Sequence, residues 1–129
     1  RNMKNKKVYE YAILRIVPDV AKEEFINAGV ILYSRHLRFI GIKTLVQADK
    51  LRALDPDIDL QLVSDYIKGI EQTAAGNAGQ GGIAALEPHE RFRWLTANRS
   101  TILQCSPIHT GLTDNAQETL RSLFEKYTG

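Results

Sequence analysis

At 129 residues, with 43% hydrophobic and 25% charged side chains, the chain fits one domain with its own core and not a disordered, collagenous or coiled-coil protein. A single cysteine excludes an internal disulfide framework and suits a reducing compartment. The net charge of +2 favours no class of partner, and the longest apolar run, residues 28–33, falls far below the ~20 residues of a membrane helix. Lys4, Lys6 and Lys7 are not followed by the apolar stretch of a signal peptide, so no membrane association and a cytoplasmic setting are expected.

The charge is unevenly spread. Residues 1–43 carry nine bases against four acids, residues 44–87 three against seven, and residues 88–129 five against four. Much of the first excess lies in residues 1–7, which read as a flexible basic arm; Arg1 and Asn2 precede Met3 and read as additions ahead of the natural start. Residues 8–129 read as the folded domain.

Within it, residues 8–17 alternate with Tyr9, Tyr11 and Ile13 on one face and Ala12, Leu14 and Ile16 on the other. Both faces are apolar, which predicts an interior strand ended by Pro18. One helical turn is expected over 20–24. A second strand follows over 26–33, where Gly29 signals a bulge or a close backbone neighbour. The polar break Ser34-Arg35-His36 leads to a third strand over 37–43, in hairpin spacing.

Residues 48–54 form a short helix candidate stopped by Asp55-Pro56. Asp59 is placed to cap a longer helix running to about Ala75, with Leu62, Val63, Tyr66, Ile67 and Ile70 as its apolar stripe. Residues 76–82 hold four of the nine glycines and read as a loop. Residues 88–97 suit a helix with Pro88 in its first turn, although Arg91-Phe92-Arg93-Trp94 also alternates as a strand would. A strand over 101–105 and a final helix complete the chain. Asp114 and Gln117 resemble a capping box for that helix, and Leu120, Leu123, Phe124 and Tyr127 line one side. The sum is a single α+β domain with a small, largely antiparallel sheet and helices packed on it.

Most chemical motifs fail on context. The glycine cluster follows a helix and lacks the Gly-Lys-Ser/Thr ending by which a phosphate loop holds its nucleotide. Cys105 and His109 stand four apart without the further ligands of a zinc site, and His36 and His89 are isolated. The aspartates at 55, 57 and 59 are explained by turn formation and helix capping. No metal, cofactor or catalytic residue is therefore expected.

The richest constellation is the acid-free stretch 91–113. Arg91, Arg93 and Arg99 offer bidentate donors to phosphate or carboxylate. Ser100, Thr101, Gln104, Ser106, His109 and Thr110 add directional polar groups, and Trp94 offers a stacking surface. The same residues also read as a structural network, with the arginines paired to the acidic middle of the chain and the aromatic rings in the core. Both readings stand on sequence alone.

Several blocks resemble a known family. These are Tyr11-Ala12-Ile13-Leu14-Arg15, Val17-Pro18-Asp19, the run from Glu24 through Leu32, Arg91-Phe92-Arg93-Trp94-Leu95-Thr96-Ala97, Arg99-Ser100-Thr101-Ile102 and Ser106-Pro107-Ile108-His109-Thr110-Gly111-Leu112. Together they are similar to the bacterial family called domain of unknown function 3037, over most of the chain from about Val8 to Tyr127. The resemblance implies no established activity. It implies a possible partner, because members are often encoded beside kinase-like proteins similar to HipA. The family more often carries proline at the position of Cys105, which weakens a catalytic reading of the thiol, and at that of Asn98, which implies a less rigid turn there in this chain.

The resulting expectation is a non-enzymatic accessory or binding protein. It engages an acidic protein partner, such as a HipA-like kinase, or a phosphorylated ligand through its arginine-rich surface. The alternative is a small nucleic-acid-processing hydrolase using Glu24 or Glu90 with His109. Nucleic acid is a less favoured partner, through the N-terminal lysines.

Overall fold

The computed structural model describes residues 5–76, 82–97 and 102–129. The elements are β1 (Lys7–Ile16), β2 (Ile26–Ser34), β3 (Phe39–Thr44), α1 (Ala48–Leu54), α2 (Leu60–Ala75), α3 (Pro88–Thr96), β4 (Leu103–Cys105), β5 (His109–Thr113) and α4 (Ala116–Thr128). Short 3-10 turns lie at Val20–Lys22 and Gly82–Ala85. The α+β class with an antiparallel sheet is as the sequence predicts.

The apolar character of both faces of β1 has a direct cause, because β1 is the central strand. It pairs antiparallel with β2 on one side and with β4 and β5 on the other, and β3 extends the sheet beyond β2. One face packs on α4, where Tyr11, Ile13, Val30 and Leu32 meet Ala116 and Leu120. The opposite face carries α1, α2 and α3. Leu14 and Ile16 meet Leu51, Val63 and Ile67, while Ile31 and Tyr33 meet Ala74, Phe92 and Leu95. Burying apolar surface on both sides at ~25 cal/mol per Å² makes this sheet the centre of the domain's stability.

Gly29 meets both expectations attached to it. The β1–β2 register shifts between Leu14 and Arg15, leaving Ala28 as the extra residue of a bulge. A Cβ on Gly29 would stand 2.4 Å from the Lys43 carbonyl oxygen, so only glycine lets β3 approach this closely.

Four details differ from the sequence reading. The third strand begins at Phe39 because residues 35–38 close as a turn, with the Arg38 N–H donating to the Arg35 carbonyl at 3.2 Å and Arg38 at φ 52°. The last helix is capped by Asn115, whose side chain accepts the Glu118 N–H at 3.0 Å, and not by Asp114. Residues 109–113, read for their polar side chains, form a strand, β5. The expected strand over 101–105 is shorter, Leu103–Cys105, and Thr101 lies outside the described residues. The N-terminal arm through Lys4 and most of the glycine-rich loop also lie outside them.

Candidate functional site: a polar groove beside the third helix

Helix α3 begins with Pro88, whose fixed φ and missing N–H suit the first turn. Phe92 and Leu95 are buried on its inner side, and the Phe92 ring stacks on Tyr33 with centroids 5.6 Å apart. That anchorage leaves His89 and Arg93, one helical turn apart, on an exposed flank.

The β2–β3 turn brings in the second guanidinium. Ser34, buried at the end of β2, donates to the Val8 carbonyl at 2.9 Å and accepts the Leu37 N–H at 3.3 Å. These bonds fix the turn in which Arg35 sits. Among the described residues Glu10 supplies the groove's carboxylate, from the β1 face that further along presents Ala12, Leu14 and Ile16 to the core.

Glu10, Tyr33, Arg35, His89 and Arg93 together line a groove of about 440 Å³. A second depression, about 210 Å³, is lined by Phe92, Thr96, Ala97 and Ile108 and shares Glu10 and Arg93 with the first. Among the described residues, the side chains of Glu10, Arg35, His89 and Arg93 make no hydrogen bond or ion pair. Two exposed arginines and a carboxylate thus share one open groove. Such a site can hold a carboxylate or phosphate by bidentate, charge-assisted bonds.

Most of the residues singled out in the sequence are not gathered in this groove. Arg93 lines it, and Thr110 lies opposite Glu10 in the β1–β5 ladder, on the same face of the sheet. Arg91 is drawn inward. It donates from Nη1 to the Leu86 carbonyl at 2.6 Å, and its guanidinium packs against Gly76, where a Cβ would stand 2.7 Å from Cζ. Its Nε is buried with no hydrogen-bond partner among the described residues.

Ser106 is buried and serves the sheet. Its Oγ accepts the Ile13 N–H at 2.8 Å and donates to the Pro107 carbonyl at 2.9 Å. His109 faces the other side, stacked on Tyr11 at 5.1 Å between centroids. Tyr11 hydrogen-bonds Tyr127, and burial with this bond pushes its phenol up to about 12. Gln104 lines a separate apolar cavity of about 220 Å³ with Trp94, Tyr66 and Cys105. Burial in that region pushes the Cys105 thiol up to about 11, the opposite of what a nucleophilic thiolate requires. Arg99, Ser100 and Thr101 lie outside the described residues.

Sequence reasoning passed over Glu10, Tyr33, Arg35 and His89. Two signals pointed to them. Glu10 interrupts an otherwise apolar strand face, and His89 and Arg93 stand at i, i+4 on a helix whose other side is Phe92 and Leu95. Among the described residues no group of three or more His, Cys, Asp or Glu side chains could hold a metal ion. None of their carboxylates hydrogen-bonds or ion-pairs with His109. No described helix is long and apolar enough to cross a membrane.

Fold and groove together define a small α+β domain with a solvent-facing pair of arginines beside its third helix. Residues 11–128 match the family described as protein of unknown function (DUF3037), and the chain belongs to that family. No curated protein and no solved structure matches the chain.

Proposed function

We propose that this domain is a binding protein that takes an anionic group of its partner, carboxylate or phosphate, between Arg35 and Arg93. The observation that carries this reading is that neither guanidinium is paired within the described residues, although both stand at one groove with His89. Arginines kept for structure are ordinarily matched internally, as Arg91 is to the Leu86 carbonyl. The anion belongs either to an acidic protein face or to a phosphorylated ligand. A HipA-like kinase, the partner implied by the family resemblance, is one candidate for the protein.

The test is a titration of the labelled protein with inorganic phosphate and with acetate, following the His89 imidazole resonances and the backbone amides of α3. Saturable shifts are expected around His89 and Arg93. Arg35→Ala and Arg93→Ala should each weaken binding about tenfold, the loss of one charge-assisted interaction, with the unfolding midpoint unchanged. Unaltered binding in the double variant would overturn the reading.

A further inference from the structure

The surface beside the groove carries a second property. Val8 pairs with Leu112 across the β1–β5 ladder, two residues along from the Glu10–Thr110 pair, so all four side chains stand on the same face of the sheet. Val8 is 50% exposed and Leu112 48%. Ile108, 42% exposed, lines the depression that Glu10 and Arg93 share with the larger groove. Helix α3 covers Tyr33 and Ile31 further along this face but leaves the Val8–Leu112 end open. Three large aliphatic side chains therefore flank a groove whose unpaired cations are Arg35 and Arg93.

We infer that the groove's occupant is an acidic peptide segment of another protein, extended along this face, with carboxylates on Arg35 and Arg93 and an aliphatic side chain over Val8, Ile108 and Leu112. The inference rests on the anion-binding reading and narrows it.

Three features favour a peptide over a free phosphate. The two depressions, about 440 and 210 Å³, adjoin through Glu10 and Arg93, which line both, and together offer far more room than a single tetrahedral anion requires. Glu10 repels a dianion placed between the arginines, but its carboxylate accepts the N–H groups of an extended backbone. The aliphatic trio gives a phosphate nothing, whereas it offers an aliphatic anchor the water-excluding contact that concentrates binding energy at interfaces. Charge complementarity fixes the sign of the partner. A basic peptide would meet the two arginines with only Glu10 to answer it.

The experiment presents the whole chain to an array of random short peptides and compares the composition of the bound spots with the array, alongside the phosphate titration described above. Enrichment of Asp and Glu interleaved with Leu, Ile or Val is expected. Arg93→Ala should abolish that enrichment. Leu112→Ser and Val8→Ser, which leave both arginines in place, should weaken the selected peptides roughly tenfold without altering the phosphate titration. Three results would count against the proposal. Phosphate binding accompanied by no acidic enrichment, or by peptides indifferent to Leu112→Ser, would overturn the peptide while the anion site stands. Acidic peptides bound equally by Arg93→Ala would overturn both.

Discussion

Arg91 and Arg93, two residues apart on one helix, illustrate how position decides what a guanidinium does. The first turns inward to the Leu86 carbonyl and the surface of Gly76, tying the start of α3 to the end of α2; the second points to solvent beside Glu10. Their substitutions should separate cleanly. Arg91→Ala removes a bond that satisfies a carbonyl and opens a gap at Gly76, which should cost about 1–2 kcal/mol of stability. Arg93→Ala should leave stability within about 0.5 kcal/mol, as is usual for a surface change. Urea unfolding of both variants checks this. The sequence could not make the distinction, because both residues stand in the same polar, acid-free stretch. It is settled by helix phase, which Phe92 sets when it docks on Tyr33.

Among the elements, β4 and β5 form one edge of the sheet in two pieces, pairing with the two halves of β1 and broken at Ser106-Pro107. Proline cannot donate to the ladder, and Ser106 compensates at the break. Its backbone N–H donates to the Ile13 carbonyl, while its Oγ accepts the Ile13 N–H, both at 2.8 Å. Ser106→Ala should leave the Ile13 N–H buried without a partner and cost about 1–3 kcal/mol, measurable as a lower unfolding midpoint. A Ser106→Thr variant that fits should retain much of that stability. Elements with strong periodicity or caps were legible in the sequence. Asp59 caps α2 as expected, accepting the Leu62 N–H at 3.0 Å, and α1 spans the anticipated 48–54. Strand β5 was not legible. Its five residues are too few and too polar to display alternation against the neighbouring loop, and only the pairing with β1 makes them a strand.

For the molecule as a whole, weakened acids, Cys105 and Tyr11 foremost, govern behaviour in alkali. Burial holds Cys105 protonated up to about 11, against an ordinary value of 9.0; burial and the bond to Tyr127 hold Tyr11 up to about 12, against 10.0. Above pH 9 the unfolded chain releases protons that the folded chain retains, so the unfolded state binds fewer and stability falls as pH rises. The decline should begin near pH 9 and level off past about 12. Cys105 alone should contribute a loss on the order of 2 kcal/mol, at ~1.4 kcal/mol per unit. Urea unfolding between pH 8 and 10.5 should show a shallower decline for Cys105→Ala than for the parent chain. At this scale the sequence was most informative about the fold, because two apolar faces on β1 already require a sheet covered on both sides. It was least informative about the groove. Glu10, Arg35 and His89 come from three separate segments that only the packing of α3 on β2 unites.

The central position of β1 also bears on synthesis. Its first neighbour, β2, follows within a few residues, but its other neighbours begin at Leu103 and His109, and Tyr11 meets Tyr127. A nascent chain emerging from the ribosome can therefore close only the β1–β2–β3 meander at first. One edge of β1 stays open until residues 103–113 have been translated, a long-range dependence that slows folding and leaves an interval in which chaperones have a bare strand to shield.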